Sequence, residues 1–141
     1  MALFSIPNIR VSGIAGCVPV KEESNYDYDW ISEKERNLLV KTTGVETRRV
    51  AEKGVTASDL CYPCAQKLID DLHWAREDVD AVVFVSQTSD YVMPATAVIL
   101  QNRLGLSKQC LAFDVSLGCS GYVYGLAIIA SLMANAGARK G

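Results

Sequence analysis

A cysteine flanked by small residues is the feature of this sequence that points most directly to chemistry. Cys119 lies in the run Asp114-Val115-Ser116-Leu117-Gly118-Cys119-Ser120-Gly121, between an apolar stretch and a long helical pattern. These patterns predict a strand-to-helix junction at Cys119. The N–H groups at a helix N-terminus favour a nucleophilic thiolate and could bind an oxyanion, and small neighbours let an acyl group approach. The residues alone equally allow Cys119 to be a small apolar side chain packed at the start of a helix.

Two further cysteines have the spacing that is found in metal-binding and redox sites. Cys61 and Cys64 form a C-x-x-C pair, but a thioredoxin-like site requires a strand immediately upstream, where this sequence predicts a loop and a helix start. A zinc site would need two more ligands, and His73 is the single histidine. We therefore interpret Cys61 and Cys64 as buried thiols on a helix face and Cys17 and Cys110 as structural. We predict no metal and no cofactor.

Composition narrows the class of protein. The chain has 141 residues, is 50% hydrophobic and carries a formal net charge of −2, which favours one domain with a core and disfavours a nucleic-acid partner. The apolar segment 118–138 contains Cys, Ser, Tyr and Asn and is interpreted as a buried helix, not a membrane span. The first residues lack a signal-peptide pattern and the cysteine count is 5, so we predict reduced thiols in a cytoplasmic protein.

The elements that must position Cys119 alternate along the chain. Strands are predicted at residues 10–14, 81–86 and 111–115, and helices start near residues 32, 57, 94 and 119. Segments 21–29 and 46–54 are polar and are interpreted as surface loops. The alternation predicts an α/β architecture with a mostly parallel sheet. A further strand is expected after Gly141, so residues 1–141 are predicted to form one incomplete domain.

Several motifs, taken in order, resemble one known family. The segment from Ala112-Phe113-Asp114-Val115 to Gly118-Cys119-Ser120-Gly121-Tyr122 closely resembles the nucleophile signature of the ketoacyl-acyl carrier protein synthase III family, which has the thiolase fold. Further resemblances cover nearly the whole chain and lie at residues 10–14, 43–45 with Arg48, 82–87, 93–97 and 104–106. The chain is thereby identified with the N-terminal half of the family's duplicated αβαβα condensing-enzyme fold.

The resemblance implies an acyltransferase of fatty acid biosynthesis. Cys119 would take an acyl group from acyl-CoA as a thioester, which is then condensed with malonyl-acyl carrier protein with loss of carbon dioxide. The family's decarboxylating His and Asn lie in its second half, and His73 does not match that motif. The chain alone is therefore expected to be inactive as an enzyme: its thiolate could accept an acyl group but should not condense it. The chain is expected to be part of a longer enzyme, or to need the remainder as a separate chain. The family also implies a homodimer, with no nucleic acid and no membrane.

Other residues of the predicted site come from the same resemblance. Met93 stands where the family has an apolar residue that crosses the dimer interface into the partner's acyl pocket, although its spacing equally fits a core-filling methionine. Arg48 belongs to the Thr-Gly-Ile-x-x-Arg element, and Lys41 could reach a phosphate of the donor. CoA-primed members carry Trp and Arg where this chain has Leu38 and Thr42. This departure favours another acyl donor, or a specialised enzyme of lipid or secondary metabolism.

Two other functions stay open at this point. The 3-hydroxy-3-methylglutaryl-CoA synthases share the fold but usually place an acid–base glutamate near Gln87, and an amide cannot shuttle that proton. A non-catalytic relative that supports a partner subunit would have no need of the nucleophile, so the retained Cys119 argues against this alternative.

Overall fold

Residues 5–141 are described by a computed structural model, in which strands and helices alternate along the chain. Residues 1–4, the start of the segment without a signal-peptide pattern, lie outside the described residues. The chain divides into two units, one of residues 17–56 and one of residues 5–16 together with 57–141. The single incomplete domain expected for residues 1–141 stays a prediction.

The unit of residues 17–56 is built on a short hairpin-like pair of strands and a helix. Strands β1 (Glu22–Ser24) and β2 (Thr47–Arg49) pair antiparallel, and helix α1 (Glu33–Thr43) lies between them in sequence. Both strands occupy segments that the sequence predicted as surface loops, so that prediction was wrong there. The reason is that directly opposite charges, Glu22 with Arg49 and Glu23 with Arg48, form cross-strand ion pairs at 3.1 and 2.6 Å in place of an apolar alternation.

Helix α1 begins where the sequence predicted a helix start, near residue 32. The Ser32 N–H donates to Glu35 Oε2 at 2.9 Å and the Glu35 N–H donates to Ser32 Oγ at 3.4 Å, which completes a capping box. Gly44, at φ +70°, ends the helix in the left-handed region, and its N–H donates to the Val40 carbonyl.

The larger unit contains the predicted parallel sheet and the helices around it. Its elements are α2 (Ala57–Asp71), β3 (Ala81–Val85), α3 (Thr96–Arg103), β4 (Leu111–Val115) and α4 (Gly121–Asn135). Strands β3 and β4 are parallel and in register from Ala81 opposite Leu111 to Val85 opposite Val115. The α/β architecture with a parallel sheet is therefore confirmed.

The core of this unit lies between the sheet and helices α2 and α3. One buried cluster joins Ile69, Val79, Leu104, Leu106 and Cys110, and a second joins Phe84, Ala97 and Leu100. Ile69, Ala97 and Leu100 come from apolar positions of the helices, and Phe84 comes from the apolar run in β3, as the hydrophobic pattern indicated. The connecting segments supply the others: Val79 precedes β3, and Leu104, Leu106 and Cys110 lie between α3 and β4. The core fixes the position of β4, which ends just before Cys119.

The predicted first strand at residues 10–14 is wrong for the described chain. These residues belong to no strand, and Ile14 is 79% exposed. A strand needs a neighbour that accepts and donates its backbone hydrogen bonds, and no strand pairs with this segment among residues 5–141. Gly13 nevertheless packs on α2, since a Cβ atom at this position would lie 2.8 Å from Leu68 Cδ1.

Helix α4 is located as predicted but is not buried as predicted. Gly121 and Gly125 are buried, whereas Tyr122 and Val123 are 62% and 65% exposed. The reason is that α4 is apolar all round and only its glycine-bearing face packs against β3. None of the helices in residues 5–141 combines the length and the apolar character that a membrane span requires.

Candidate active site

Cys119 lies in the turn that joins β4 to α4. Strand β4 ends at Val115, and the Gly121 N–H donates to the Gly118 carbonyl at 2.8 Å. Ser120 precedes the first helical residue, and its carbonyl accepts from the N–H of Val123 at 3.1 Å. The strand-to-helix junction predicted at Cys119 is thus confirmed.

The thiol of Cys119 and the adjacent backbone are available to a ligand. Cys119 is exposed and carries a free thiol. Within residues 5–141, its N–H donates no hydrogen bond to a protein acceptor. A sulfur beside an uncommitted backbone donor is the arrangement that can attack a carbonyl and bind the resulting oxyanion.

Close contact between β3 and the glycines of α4 places this turn. A Cβ atom at Gly121 would lie 2.6 Å from Val85 Cγ1, and one at Gly125 would lie 2.8 Å from Val85 Cγ2. Real Cβ atoms do not approach so closely, so glycine at both positions lets the helix rest directly on the strand. Because Val85 is a stiff β-branched residue, the contact fixes where α4 begins.

A cavity of about 1310 Å³ reaches Cys119 within the larger unit. Apolar side chains of β3 and α4 contribute much of its wall, among them Val83, Phe84, Leu126, Ile129 and Met133. Helix α2 contributes Cys61, which is exposed, while Cys64 is half-buried. The prediction that Cys61 is buried was therefore wrong, because its position on α2 faces the cavity and not the core. An apolar wall beside an exposed thiol suits an acyl chain.

Asp114 of β4 is a charged residue that connects this edge of the sheet to helix α3. The sequence alone assigned it no separate role. Its carboxylate accepts from the backbone N–H of Thr96 at 2.7 Å and of Ala97 at 2.8 Å. It therefore caps the start of α3 from β4 and satisfies two donors that the helix leaves open. The signal that could have found it is a carboxylate inside the apolar run Leu111–Val115.

Met93 lies in the loop between β3 and α3 and is 84% exposed. It does not line the cavity at Cys119. A polar network that the sequence did not reveal fastens this loop: Asp90 accepts a hydrogen bond from buried Ser58, and Arg103 contacts Ser58 at 3.2 Å and Asp59 at 2.9 Å. A contact of Met93 with substrate stays a prediction.

Arg48 and Lys41 have different surroundings in the unit of residues 17–56. The Arg48 guanidinium pairs with Glu23 at 2.6 Å, donates to Asn25 Oδ1 at 2.7 Å and lies 4.8 Å from the centre of the Tyr28 ring. The hydrogen bond from Lys21, and then the charges of Lys21 and Arg48, lower the pKa of Glu23. Arg48 is thus engaged within its own unit.

Lys41 is exposed in the last turn of α1. Its contact with substrate, like that of Arg48, stays a prediction. His73 is exposed just past the end of α2, at φ +52°. Among residues 5–141, no three His, Cys, Asp or Glu side chains are grouped so that they could hold a metal ion.

Comparison with curated proteins points to one kind of enzyme. The chain is 33% identical over 128 residues to beta-ketoacyl-[acyl-carrier-protein] synthase III of Desulfitobacterium hafniense, a match that covers 91% of this chain and 38% of the relative. It is 36% identical over 119 residues to the protein of the same name from Xylella fastidiosa, covering 84% of this chain and 36% of the relative. The chain thus spans about two-fifths of the length of these relatives. No protein-family model matches the chain.

Solved structures show the same fold. A 3-oxoacyl-(acyl-carrier protein) synthase from Burkholderia xenovorans superposes with a TM-score of 0.81 at 41% identity, covering 89% of this chain and 37% of that chain. A cysteine-to-serine variant of Xanthomonas campestris OleA with bound lauric acid and lauroyl-CoA superposes with a TM-score of 0.83 at 25% identity, covering 94% of this chain and 42% of that chain. Each similarity spans about nine-tenths of this chain.

Proposed function

We propose that this chain, which is similar in sequence and in its thiolase-like fold to part of β-ketoacyl-acyl carrier protein synthase III, is the nucleophile-bearing part of an acyl-transferring condensing enzyme. The observation that carries the proposal is the position of Cys119, exposed in the turn between β4 and α4 at the edge of an apolar cavity.

The first proposed step is acyl transfer to sulfur. The thiolate of Cys119 attacks the carbonyl carbon of an acyl-CoA, and the carbonyl oxygen gains negative charge, which the Cys119 N–H stabilises by a hydrogen bond. The tetrahedral intermediate collapses, the bond from carbon to the CoA sulfur breaks, and CoA leaves as a thiolate that takes a proton. The acyl group is then a thioester on Cys119, with its chain along the apolar wall formed by β3 and α4.

The second proposed step is condensation with malonyl-acyl carrier protein. Loss of carbon dioxide leaves a carbanion, which attacks the thioester carbonyl and releases the Cys119 thiolate together with a 3-oxoacyl product. By the family resemblance, this step requires a His and an Asn. His73 does not line the cavity at Cys119, so the 141 residues themselves are proposed to carry out acyl transfer without condensation.

A specialised condensing enzyme of lipid metabolism is the second candidate. Two observations favour it: the similarity to an OleA structure that holds lauroyl-CoA, and the presence of Leu38 and Thr42 where CoA-primed members of the family carry Trp and Arg. Under this candidate, Cys119 has the same role but accepts a longer acyl chain than acetyl.

A homodimer is part of the proposal. The exposed Met93 loop and the exposed apolar residues of α4, Tyr122 and Val123, supply the surface that a partner copy would cover. An interface with apolar residues of this kind is typical of homodimers.

Mass spectrometry after incubation with acyl-CoA tests the proposal. We expect incubation with acetyl-CoA or lauroyl-CoA to add one acyl group, located on Cys119 by peptide mapping, and the chain length that reacts faster separates the two candidates. The Cys119→Ser variant should not form the thioester, whereas Cys61→Ser, which removes the other cavity-lining thiol, should form it at the normal rate. An unmodified Cys119 with both donors would contradict the proposal.

A further inference from the structure

We propose that the carboxamide of Gln87 is a substrate-binding group of the Cys119 site and donates a hydrogen bond to the carbonyl oxygen of the incoming acyl group. This inference rests on the proposed function and adds a residue to it. Three features of the larger unit carry it: the strand register, a contact with Gly118 and the hydrogen-bonding state of the side chain.

The strand register brings Gln87 and Cys119 to one edge of the sheet. Strands β3 and β4 are parallel, with Val85 opposite Val115, and the Ser86 N–H donates to the Val115 carbonyl at 3.2 Å. The residues that follow these strands therefore leave the sheet at the same carboxyl edge. Ligands of open α/β sheets bind at such edges.

Direct contact with Gly118 brings the carboxamide to the turn itself. A Cβ atom at position 118 would lie 2.9 Å from Gln87 Oε1 and 3.1 Å from Gln87 Nε2. The carboxamide thus occupies the space that a side chain at 118 would need, next to the residue that precedes Cys119. Glycine at this position admits the polar end of Gln87 to the turn that carries Cys119, beside the cavity whose lining includes Gly118 and Cys119 but not Gln87 itself.

The side chain has hydrogen-bonding capacity that the described protein does not use. A carboxamide offers two N–H donors and one carbonyl acceptor. Gln87 is exposed, and no hydrogen bond of its side chain is found within residues 5–141. By contrast, its neighbours Ser86 and Thr88 contact each other through their hydroxyl oxygens at 3.2 Å, and the Thr88 N–H donates to Ser86 Oγ at 2.9 Å. The Gln87 carboxamide can therefore donate to a ligand.

A thioester carbonyl matches this donor. Its oxygen is a hydrogen-bond acceptor, and it gains negative charge when the Cys119 sulfur attacks, so an N–H donor nearby favours the transition state over the ground state. The Cys119 N–H is another uncommitted donor at this turn, so both groups would contribute to binding the same carbonyl oxygen.

The test measures the rate at which the natural gene product is acylated on Cys119 by acyl-CoA. Gln87→Met keeps the length of the side chain and removes the donor, so we expect the rate to fall roughly threefold to tenfold, as for loss of one neutral hydrogen bond. Gln109→Met is the matched control, because this exposed glutamine lies in the loop before β4, at the opposite end of that strand. Its rate should equal that of the unsubstituted protein.

A pH profile separates donation from a merely structural role. In Gln87→Glu, a carboxylate cannot donate, but a protonated carboxyl group can. We expect the rate of Gln87→Glu, divided by that of the unsubstituted protein, to rise as pH falls from about 8 to about 5, toward the ordinary pKa of a glutamate. The division removes the pH dependence of the sulfur, which both proteins share.

Gly118→Ala is a further test of the contact, because the methyl group of the alanine would displace the Gln87 carboxamide. Gly118→Ala should slow acylation, and adding Gln87→Met to it should cause little further loss, because the same contact is already broken. A Gln87→Met rate within twofold of normal, or a pH-independent ratio for Gln87→Glu, would overturn the role of Gln87 alone. If the unsubstituted protein is not acylated, the proposed function is overturned and this inference with it.

Discussion

At the scale of single residues, two cysteines of the same chain illustrate how surroundings determine chemistry. Cys119 is exposed in a turn at the edge of the cavity, whereas Cys110 is 6% exposed and packs in the core with Leu104 and Leu106. Burial, and then the negative charge of Asp80, raise the pKa of the Cys110 thiol. The Cys119 thiol is thus accessible to a substrate, whereas the Cys110 thiol is part of the buried core.

The raised pKa of Cys110 predicts a pH-dependent contribution to stability. The folded protein keeps the Cys110 proton to higher pH than the unfolded chain does, so this contribution is complete below the ordinary thiol pKa of about 8.5 and is lost as pH rises through the folded-state value. We expect the unfolding free energy of Cys110→Ala, measured by urea titration, to fall less between about pH 7 and about pH 10 than that of the unsubstituted protein.

A reducing agent in both titrations excludes thiol oxidation as the cause of any difference. An equal fall in the two proteins would show that the Cys110 thiol does not titrate differently in the folded and unfolded states.

At the scale of elements, helix α4 is positioned by the absence of side chains at Gly121 and Gly125, on the face that packs against β3. Glycine has a low helix propensity, yet α4 carries Gly121 and Gly125 one turn apart, where Val85 of β3 approaches. The contact joins the turn that carries Cys119 to β3, so the position of Cys119 depends on backbone proximity between α4 and β3.

Gly125→Ala should therefore destabilise the protein despite the better helix propensity of alanine. The new Cβ atom would lie 2.8 Å from Val85 Cγ2, and overpacking of this kind costs about 1–3 kcal/mol, against a gain of about 1 kcal/mol in propensity. We expect a net loss of about 1 kcal/mol in unfolding free energy, measured by urea denaturation.

Adding Val85→Ala to Gly125→Ala should cost less than Val85→Ala does alone, because the smaller side chain leaves room for the methyl group. Ser131→Ala, on the exposed side of the same helix, is the matched control and should change stability by less than about 0.5 kcal/mol. A more stable Gly125→Ala protein would show that α4 does not rest on Val85.

The elements also show where a pattern predicts structure and where it does not. Strands β3 and β4 and helices α3 and α4 were predicted, because each has an apolar run or period that only one kind of element buries. Strands β1 and β2 were missed because their pairing depends on ion pairs between residues 25 or more positions apart. Residues 10–14 have a strand-like pattern without a paired neighbour.

At the scale of the whole molecule, the chain matches a part of larger proteins. It spans about 38% of the curated synthase III relatives and 42% of the OleA structure. Its apolar helix α4 exposes Tyr122, Val123 and Tyr124, and its cavity reaches the turn that carries Cys119. These features agree with a first proposed step that this chain performs and a second that requires further residues.

The 141-residue chain, mixed with acyl-CoA and malonyl-acyl carrier protein, is therefore expected to become acylated on Cys119 without releasing carbon dioxide. The physical reason is that decarboxylation needs groups that stabilise the developing carbanion, and His73 does not line the cavity. Release of labelled carbon dioxide from the malonyl group is the measurement. The Desulfitobacterium hafniense synthase III is the positive control, and release that Cys119→Ser abolishes would contradict the expectation.

The sequence by itself determined the α/β class and the order of the main helices and strands, because hydrophobic periods are local properties of the chain. It also placed Cys119 at a strand–turn–helix junction, and the resemblance of this segment to a family signature made Cys119 the candidate nucleophile. Only the tertiary structure decided that Gln87 meets Gly118, that Asp114 caps α3, that Arg48 is engaged by Glu23 and Asn25, and that α4 is largely exposed. These contacts join residues far apart in sequence, and their formation depends on strand register and on the space between backbones, which no local pattern encodes.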